Sequence, residues 1–348
     1  LGAILAVDNK TGEIKAMVGG YSFAKSKWNN ATQSKRQPGS SFKPIIYTAA
    51  LENGYHPARM VDDEYFSDFD IATEELWEPQ NYPPGFFGPL TLRRALEKSR
   101  NVVSARIVKD LSPGKIVSYG KRFGIESELK PYMTISLGAF EVSLLEMAAA
   151  FTTFPNLGVR VQPYFIKSIR DQNNIVEENI PERKQVIEKE IAYVMNYMMQ
   201  GVVKSGTGYR AKNLPAPIGG KTGTTDEFTN AWFVGFSPSL TVGVWVGCDE
   251  AKKSLGKGEE GGKVACPIFV DFMEKYLAKY PEIAEFQRPA GVIMVKIDKY
   301  TGKLWTEDCL HPFWEAFISG TEPTEYCTED DHEKIHDYYG KDVEDPED

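Results

Sequence analysis

Three short apolar segments near residue 230 constrain the fold more than any other feature of the sequence. They span residues 218–224, 231–236 and 240–246, and only a few polar or turn-forming residues separate them. Segments joined by such short turns predict an antiparallel meander. Residues 266–276 predict a helix that could cover one face of this sheet.

The rest of the chain predicts a hairpin and several helices. Residues 4–7 and 14–18 flank a polar turn, as in a β-hairpin, and a similar unit recurs at 292–302. Helical patterns are found at 40–51, 92–98, 102–111, 141–153 and 188–203. Residues 55–90 predict an irregular region, and residues 160–187 predict strands. The predicted fold class is therefore α/β of the α+β type, with an antiparallel sheet covered by helices plus a mostly helical subdomain.

Negative charge is concentrated at the C-terminal end. The 348 residues carry a net charge of −9, but twelve acids and two lysines within residues 321–348 account for −10. The remainder is about neutral, and such a tail is typically solvated. This distribution argues against nucleic acid as a partner, because phosphate backbones select basic surfaces.

Targeting signals are not evident in the sequence. No apolar run approaches the roughly 18 residues that a membrane span needs, and no signal-peptide pattern opens the chain. The sequence instead begins directly with a strand-like segment, residues 1–5. We expect the chain to be a fragment of a longer protein whose targeting segment lies outside it.

The strongest chemical signal is a serine followed by a lysine, Ser40 and Lys43, at the start of a predicted helix. A serine hydroxyl needs an adjacent base before it acts as a nucleophile. Residues i and i+3 share a helix face, so the two side chains can touch. Burial lowers the pKa of a lysine, and the N–H groups of a helix N-terminus favour an oxyanion.

The spacing alone carries little weight. Other Ser-x-x-Lys pairs occur in the chain, among them Ser22/Lys25, Ser112/Lys115, Ser127/Lys130 and Ser254/Lys257. Ser40 differs in its context, since Pro38-Gly39 precedes it and an amphipathic helix follows. The adjacent Ser41 is only two positions from Lys43 and points elsewhere on a helix.

A second motif, Ser99-Arg100-Asn101, is the only Ser-x-Asn in the chain. It lies between two predicted helices, where a loop could aim a hydroxyl and an amide into a cleft. Ser99 and Asn101 also suit helix caps, so capping is the alternative interpretation.

The third motif is Lys221-Thr222-Gly223-Thr224 on the first strand of the meander. A lysine and hydroxyls at a sheet edge suit a carboxylate ligand, and a glycine permits close backbone approach. The same tripeptide at residues 10–12 is explained by the N-terminal turn.

The order Ser-x-x-Lys, Ser-x-Asn, Lys-Thr-Gly is the signature of penicillin-binding proteins and class A β-lactamases. The chain resembles the transpeptidase domain of class A (bifunctional) penicillin-binding proteins. The resemblance covers residues 1–280 and is carried by the stretches 36–44, 77–82, 137–150, 220–225 and 230–235. It implies a β-lactamase/transpeptidase-like domain over residues 1–285. Residues 286–348 would form a C-terminal extension with a β-hairpin and an acidic tail.

The resemblance also implies a role for each motif. Ser40 would attack the carbonyl between two terminal D-alanines of a peptidoglycan stem peptide after Lys43 takes its proton. Ser99 would relay a proton to the leaving amine, and Asn101 would contact the substrate backbone. The motif at 221–224 would hold the terminal carboxylate. Backbone N–H groups of Ser40 and of the fourth residue of that motif would form the oxyanion hole.

The partners implied by the resemblance are a D-Ala-D-Ala donor stem, an amine acceptor stem and β-lactams, which imitate the donor terminus. No cofactor and no metal are implied. Bifunctional members of the family carry an N-terminal membrane helix and a glycosyltransferase domain. The expected location is the outer face of the cytoplasmic membrane, with contact to the membrane only through an N-terminal segment outside this chain.

Four cysteines, at positions 248, 266, 309 and 327, contain no CxxC pair. Their even number allows two disulfides in an extracytoplasmic protein, and four free thiols remain the alternative. Against the family pattern, Cys248 and Cys266 replace other residues at the two ends of one loop. We therefore hypothesise a Cys248–Cys266 bridge and a Cys309–Cys327 bridge.

Three other interpretations stay open. A β-lactamase or D,D-carboxypeptidase of the same fold would pass the acyl group to water. A penicillin-binding sensor module would be acylated without transpeptidation. A metalloprotease is suggested by His332-Glu333-Lys334-Ile335-His336, which matches HExxH but lies in the acidic tail without an evident third ligand.

Overall fold

The computed structural model describes residues 1–70, 74–172, 174–248, 253–281 and 284–331. Its strands are β1 Gly2–Asp8, β2 Ile14–Val18, β3 Met60–Asp63, β4 Asp68–Asp70, β5 Glu75–Trp77, β6 Gly88–Thr91, β7 Val159–Val161, β8 Ser168–Asp171, β9 Asn174–Glu178, β10 Arg183–Gln185, β11 Gly219–Thr224, β12 Asn230–Phe236, β13 Leu240–Gly247, β14 Val292–Asp298 and β15 Pro312–Ile318. Its α-helices are α1 Lys43–Glu52, α2 Leu92–Glu97, α3 Asn101–Leu111, α4 Pro113–Arg122, α5 Leu144–Thr152, α6 Lys189–Ser205 and α7 Gly261–Lys279.

The predicted meander and N-terminal hairpin form one antiparallel sheet in the order β11-β12-β13-β1-β2. Side chains on a strand alternate between faces, so Phe233 packs against α7 on one face. Its neighbours Trp232 and Val234 lie on the other face, in a core shared with helices α1 to α6, which together form the helical region. Both faces of the sheet are thus buried. The predicted fold class is confirmed, and the edge strand β11 lies beside the helical region.

Helix α1 lies at the centre of the helical region. Its residues from Lys43 to Leu51 are all buried, without the polar face of a surface helix. Such a helix has little room to move, because protein interiors are close-packed. The N-terminal end of α1 is therefore a rigid place for a functional side chain.

The structure adds elements that the sequence patterns do not predict. Helix α4 follows α3 directly, with Ser112 as its N-cap, and the region 55–90 contains the short strand pairs β3–β6 and β4–β5. The turn at 298–302 is present, but β14 pairs with the distant β15. Just after the turn, Leu304 forms isolated bridges with Ile297 and with Tyr326.

The two hypothesised disulfides have different outcomes. Cys309 and Cys327 are bonded, with their Cα atoms 6.3 Å apart. The Cys248–Cys266 hypothesis is wrong, because both thiols are free. Cys266 is buried on α7 with its Sγ facing the carbonyl oxygen of Gly208 at 3.8 Å, whereas Cys248 follows the end of β13.

Candidate active site

The predicted nucleophile lies on a 3₁₀ turn, Gly39–Phe42, that leads directly into α1. Gly39 has φ +54°, and a Cβ there would collide with the carbonyl oxygen of Thr224 on β11. Only glycine meets both demands. Two positions before Gly39, the carbonyl oxygen of Gln37 accepts a 2.8 Å hydrogen bond from Trp232 Nε1. The turn is therefore pressed against the sheet edge, with Ser40 half-buried at its surface.

Lys43 is fully buried one helical turn behind Ser40. Its Nζ donates to Ser99 O at 2.6 Å, to Asn101 Oδ1 at 2.7 Å and, more weakly, to Ser99 Oγ at 3.4 Å. No hydrogen bond joins it to Ser40 Oγ in the described part of the chain. The two short bonds go to oxygens that only accept, so a neutral amine would use two hydrogens there and keep one lone pair.

The surroundings of Lys43 favour that neutral amine. Burial is the main cause of a pKa well below the ordinary lysine value, and the cations Lys221 and Arg100 lower it further. Asp63 opposes the shift as the smallest contributor. A lysine of this kind can accept a proton near neutral pH, as a general base requires.

Ser99 lies between two lysines. Its Oγ is 2.9 Å from Lys221 Nζ and 3.4 Å from Lys43 Nζ. The backbone at Ser99 is left-handed, with φ +56°, which is uncommon for a residue other than glycine. Strained backbone of this kind persists only where its surroundings hold it in place, and it is frequent at functional sites.

Lys221 reaches Ser99 because of its position on the sheet. It pairs with Val234 on β12 and so lies on the face toward the helical region. It is fully buried, its Nζ is also 3.3 Å from Thr222 Oγ1, and burial lowers its pKa to about 7. Thr222 Oγ1 in turn is 2.7 Å from Thr207 Oγ1.

The edge of β11 offers an unused backbone donor to the cleft. Thr225 N–H bonds to Asn230 O on β12. Since N–H groups of an antiparallel strand alternate in direction, the N–H of Thr224 lies on the free edge, where the Gly39 turn approaches. This arrangement is compatible with an oxyanion hole made with Ser40 N–H. At Gly223 a Cβ would collide with Pro38 O, which explains the glycine.

Asp63, Asn81 and Arg100 support the residues of the cleft, although the sequence alone assigned none of them a role. Asp63 is fully buried and accepts hydrogen bonds from Asn81 Nδ2 and Arg100 Nε, both at 2.7 Å. Asn81 Oδ1 then accepts from the N–H groups of Asn101, at 2.8 Å, and of Val102. Asn81 thus caps α3 from a distance, and the only advance signal was its place in the stretch 77–82.

These residues border one cleft of about 210 Å³. Its lining residues include Ser40, Ser99, Asn101, Thr222 and Thr224, and also Tyr82, Phe228, Glu227 and Glu260. The predicted site residues therefore lie together, because the buried amines of Lys43 and Lys221 both contact Ser99 of this lining. The HExxH segment lies outside the described residues.

Among the described residues, no group of three or more His, Cys, Asp or Glu side chains is placed to bind a metal ion. No helix in that part of the chain is both long enough and apolar enough to cross a membrane.

Comparison with known proteins gives two family matches. The model of the penicillin-binding protein transpeptidase domain matches residues 2–274, and that of the penicillin-binding protein 1A C-terminal domain matches residues 288–332. Penicillin-binding protein 1A of Aquifex aeolicus is 41% identical over 329 residues, covering 94% of this chain and 45% of that protein. Penicillin-binding protein 1A of Rickettsia conorii is 37% identical, covering 87% and 41%.

A solved structure agrees with these matches. The crystal structure of penicillin-binding protein 1A from Haemophilus influenzae superposes with a TM-score of 0.86 at 31% identity, covering 94% of this chain and 54% of that one. The chain spans less than half the length of the Aquifex and Rickettsia relatives.

Proposed function

Because the chain belongs to the penicillin-binding protein transpeptidase family, of the penicillin-binding protein 1A type, we propose that it is a serine D,D-transpeptidase that cross-links peptidoglycan stem peptides. The observation that carries the proposal is that Ser40 and Ser99 line one cleft, while two buried lysines, Lys43 and Lys221, both form hydrogen bonds to Ser99. No cofactor is needed for this chemistry, since the nucleophile, base and anion site are all side chains.

In the proposed mechanism the base is the neutral amine of Lys43. It takes the proton of Ser40 while Oγ attacks the carbonyl between two D-alanines, and the N–H groups of Ser40 and Thr224 stabilise the oxyanion. Rotation of Ser40 Oγ toward the free lone pair of Lys43 would complete the contact, which often tightens only when substrate binds.

Release of the terminal D-alanine needs a proton at its amine. Ser99 would relay this proton, and the proposal is supported by the distances from Ser99 Oγ to Lys43 Nζ, 3.4 Å, and to Lys221 Nζ, 2.9 Å. The terminal carboxylate would be bound by the charged form of Lys221 with the hydroxyls of Thr222 and Thr224. The amine of a second stem then attacks the acyl-enzyme and frees Ser40.

The same site would accept β-lactams, since they carry a strained amide and a carboxylate. We propose that acylation is followed by slow hydrolysis, which separates a transpeptidase from a β-lactamase. Glu227 and Glu260 line the cleft, and the lifetime of the penicillin adduct measures whether either carboxylate activates water. The proposed location is the outer face of the cytoplasmic membrane. A segment outside this chain would make the contact with the membrane.

The test is a product analysis with a D-Ala-D-Ala donor peptide and an amine acceptor. The proposal predicts a donor–acceptor amide with release of D-alanine, and no product from Ser40→Ala. Hydrolysed donor without amide would favour a D,D-carboxypeptidase. Rapid turnover of penicillin would favour a β-lactamase, and acylation without either product would favour a sensor module.

A further inference from the structure

A buried ion pair joins the C-terminal extension to helix α2. Glu315 on β15 is fully buried, and its carboxylate accepts hydrogen bonds from both Nε and Nη2 of Arg93, the latter at 2.6 Å. Two parallel bonds between a guanidinium and a carboxylate fix orientation as well as distance. The two residues are 222 positions apart, so the pair is a tertiary link between the extension and α2.

Arg93 contacts residues of several secondary-structure elements. Its Nη1 donates to Tyr197 O on α6 at 3.2 Å and lies 3.4 Å from Glu97 Oε1. Its guanidinium also lies 4.9 Å from the ring centre of Phe313 on β15. Without Glu315, the buried cation would retain only the longer ion pair with Glu97, and α2 would have to shift or admit water to satisfy it.

The extension contacts α2 at a second place, the turn at 298–302. Thr91, the N-cap of α2, donates from Oγ1 to Lys299 O at 3.4 Å. The guanidinium of Arg94 lies 3.9 Å from the centre of the Tyr300 ring. A Cβ at Gly302 would collide with Ala58 O, so the turn packs directly on the backbone.

No flexible linker separates α2 from Ser99. Helix α2 ends at Glu97, and the N–H of Ser99 bonds back to Leu96 O at 3.1 Å. Arg100 N–H bonds to Ala95 O at 2.9 Å. A rotation or shift of α2 therefore moves Ser99 Oγ with respect to Lys221, since Ser99 is part of the helix end.

We propose that the C-terminal extension is a positioning element of the active site: Glu315, by holding Arg93, fixes α2 and with it the place of Ser99 between the two lysines. The inference rests on the proposed function, because its readout is acylation at Ser40. Glu315 touches no substrate, so it is a positioning residue.

The first test is Glu315→Gln in the full chain, which keeps the shape of the side chain and removes its charge. With labelled penicillin, well below the unfolding temperature, the saturating acylation rate should fall about tenfold, because small misplacements of reacting groups are costly. The apparent Kd should change little. The matched control is Glu325→Gln, the same substitution at an exposed glutamate of the extension, which should acylate at the unmodified rate.

A second variant separates positioning from stability. The double substitution Arg93→Met with Glu315→Leu replaces the ion pair by apolar side chains, which commonly preserves or raises stability. A positioning role predicts an unfolding temperature near that of the unmodified chain with acylation still slow. The inference is overturned if Glu315→Gln acylates at the unmodified rate, or if the double variant recovers full acylation. An unmodified chain that takes up no penicillin overturns the proposed function itself.

Discussion

The two buried lysines of the cleft have the same side chain in different surroundings. Lys43 begins a central helix, and its Nζ is within 2.7 Å of two oxygens that only accept, with two cations nearby. Lys221 lies on an edge strand, its Nζ contacts the hydroxyls of Ser99 and Thr222, and its pKa is lowered to about 7 by burial alone.

The difference explains how one residue type can fill two roles. Burial lowers the pKa of both lysines, and the pKa of Lys43 is lowered further by the neighbouring cations Lys221 and Arg100, which favours a neutral amine there. The proposed mechanism therefore uses Lys43 as the neutral base and Lys221 as the cation. Pairs of titratable groups whose environments separate their pKa values are typical of acid–base assignments in enzymes.

The largest effect is expected from removing the base. Lys43→Ala should lower the saturating rate of acylation by penicillin about a thousandfold, because general-base catalysis contributes roughly 10²–10⁴-fold. Stopped-flow measurement with a labelled penicillin gives this rate. A matched variant at an exposed lysine, Lys275→Ala, should retain the full rate. A Lys43→Ala rate within tenfold of normal would remove Lys43 from the base role.

The second effect concerns the proposed anion site. Lys221→Ala should weaken apparent affinity for penicillin by about 2 kcal/mol, roughly thirtyfold, since a hydrogen bond to a charged group is of this size. An esterified penicillin isolates the contribution of the ligand's carboxylate to this loss of affinity. A penicillin methyl ester, which has no carboxylate, should bind the variant and the unmodified chain alike, and a loss of equal size for the ester would contradict the assignment.

The third effect is a bell-shaped dependence of the second-order acylation constant on pH. The rate should fall by about tenfold per unit once pH drops below the pKa of Lys43, since the protonated amine has no lone pair. It should also fall above about pH 7 as Lys221 loses its charge. The alkaline limb should vanish with the methyl ester. A rate that does not fall between pH 7 and pH 9 would contradict the Lys221 assignment. An acid limb that is missing at every pH at which the protein stays folded would contradict the Lys43 assignment.

The smallest effect is expected from the support behind Asn101. Asp63→Asn removes the buried carboxylate that binds Arg100 and Asn81, and we expect acylation to slow by about tenfold, because one partner of a buried pair is lost. The acid limb should move to lower pH, since Asp63 raises the pKa of Lys43. Asp68→Asn, at a partly exposed ion pair with Lys109, serves as the control and should change neither.

The sequence predicted the residues that line the cleft better than it predicted the residues that hold them in place. Among the Ser-x-x-Lys pairs, the structure gives three serines local structural roles: Ser112 caps α4, Ser127 bonds to Glu146 and Ser254 bonds to Glu227 O. Within the part of the chain that the structure describes, the Ser40 hydroxyl makes no such bond, and Ser40 borders the cleft. A position before a helix was not sufficient, since Ser112 shares it and is occupied as an N-cap. The informative signals were Pro38-Gly39 ahead of Ser40 and the order of the three motifs.

The features that sequence did not predict depend on distant contacts. Arg93 and Glu315 belong to different elements, and neither has a local pattern that indicates a buried partner. Asp63 and Asn81 lie in a region whose composition predicts only loops. The free state of Cys266 follows from packing, because α7 turns its thiol toward Gly208. The roles of the site residues themselves remain predictions.

The account depends on Ser40 becoming a nucleophile through a neutral Lys43, and peptide mapping of the penicillin adduct tests it most directly. The protein is incubated with penicillin at neutral pH, digested and analysed by mass spectrometry. The account predicts one stable adduct on the peptide that contains Ser40, and none in Ser40→Ala. An adduct on another residue, or an unmodified Ser40 peptide in folded protein, would contradict it.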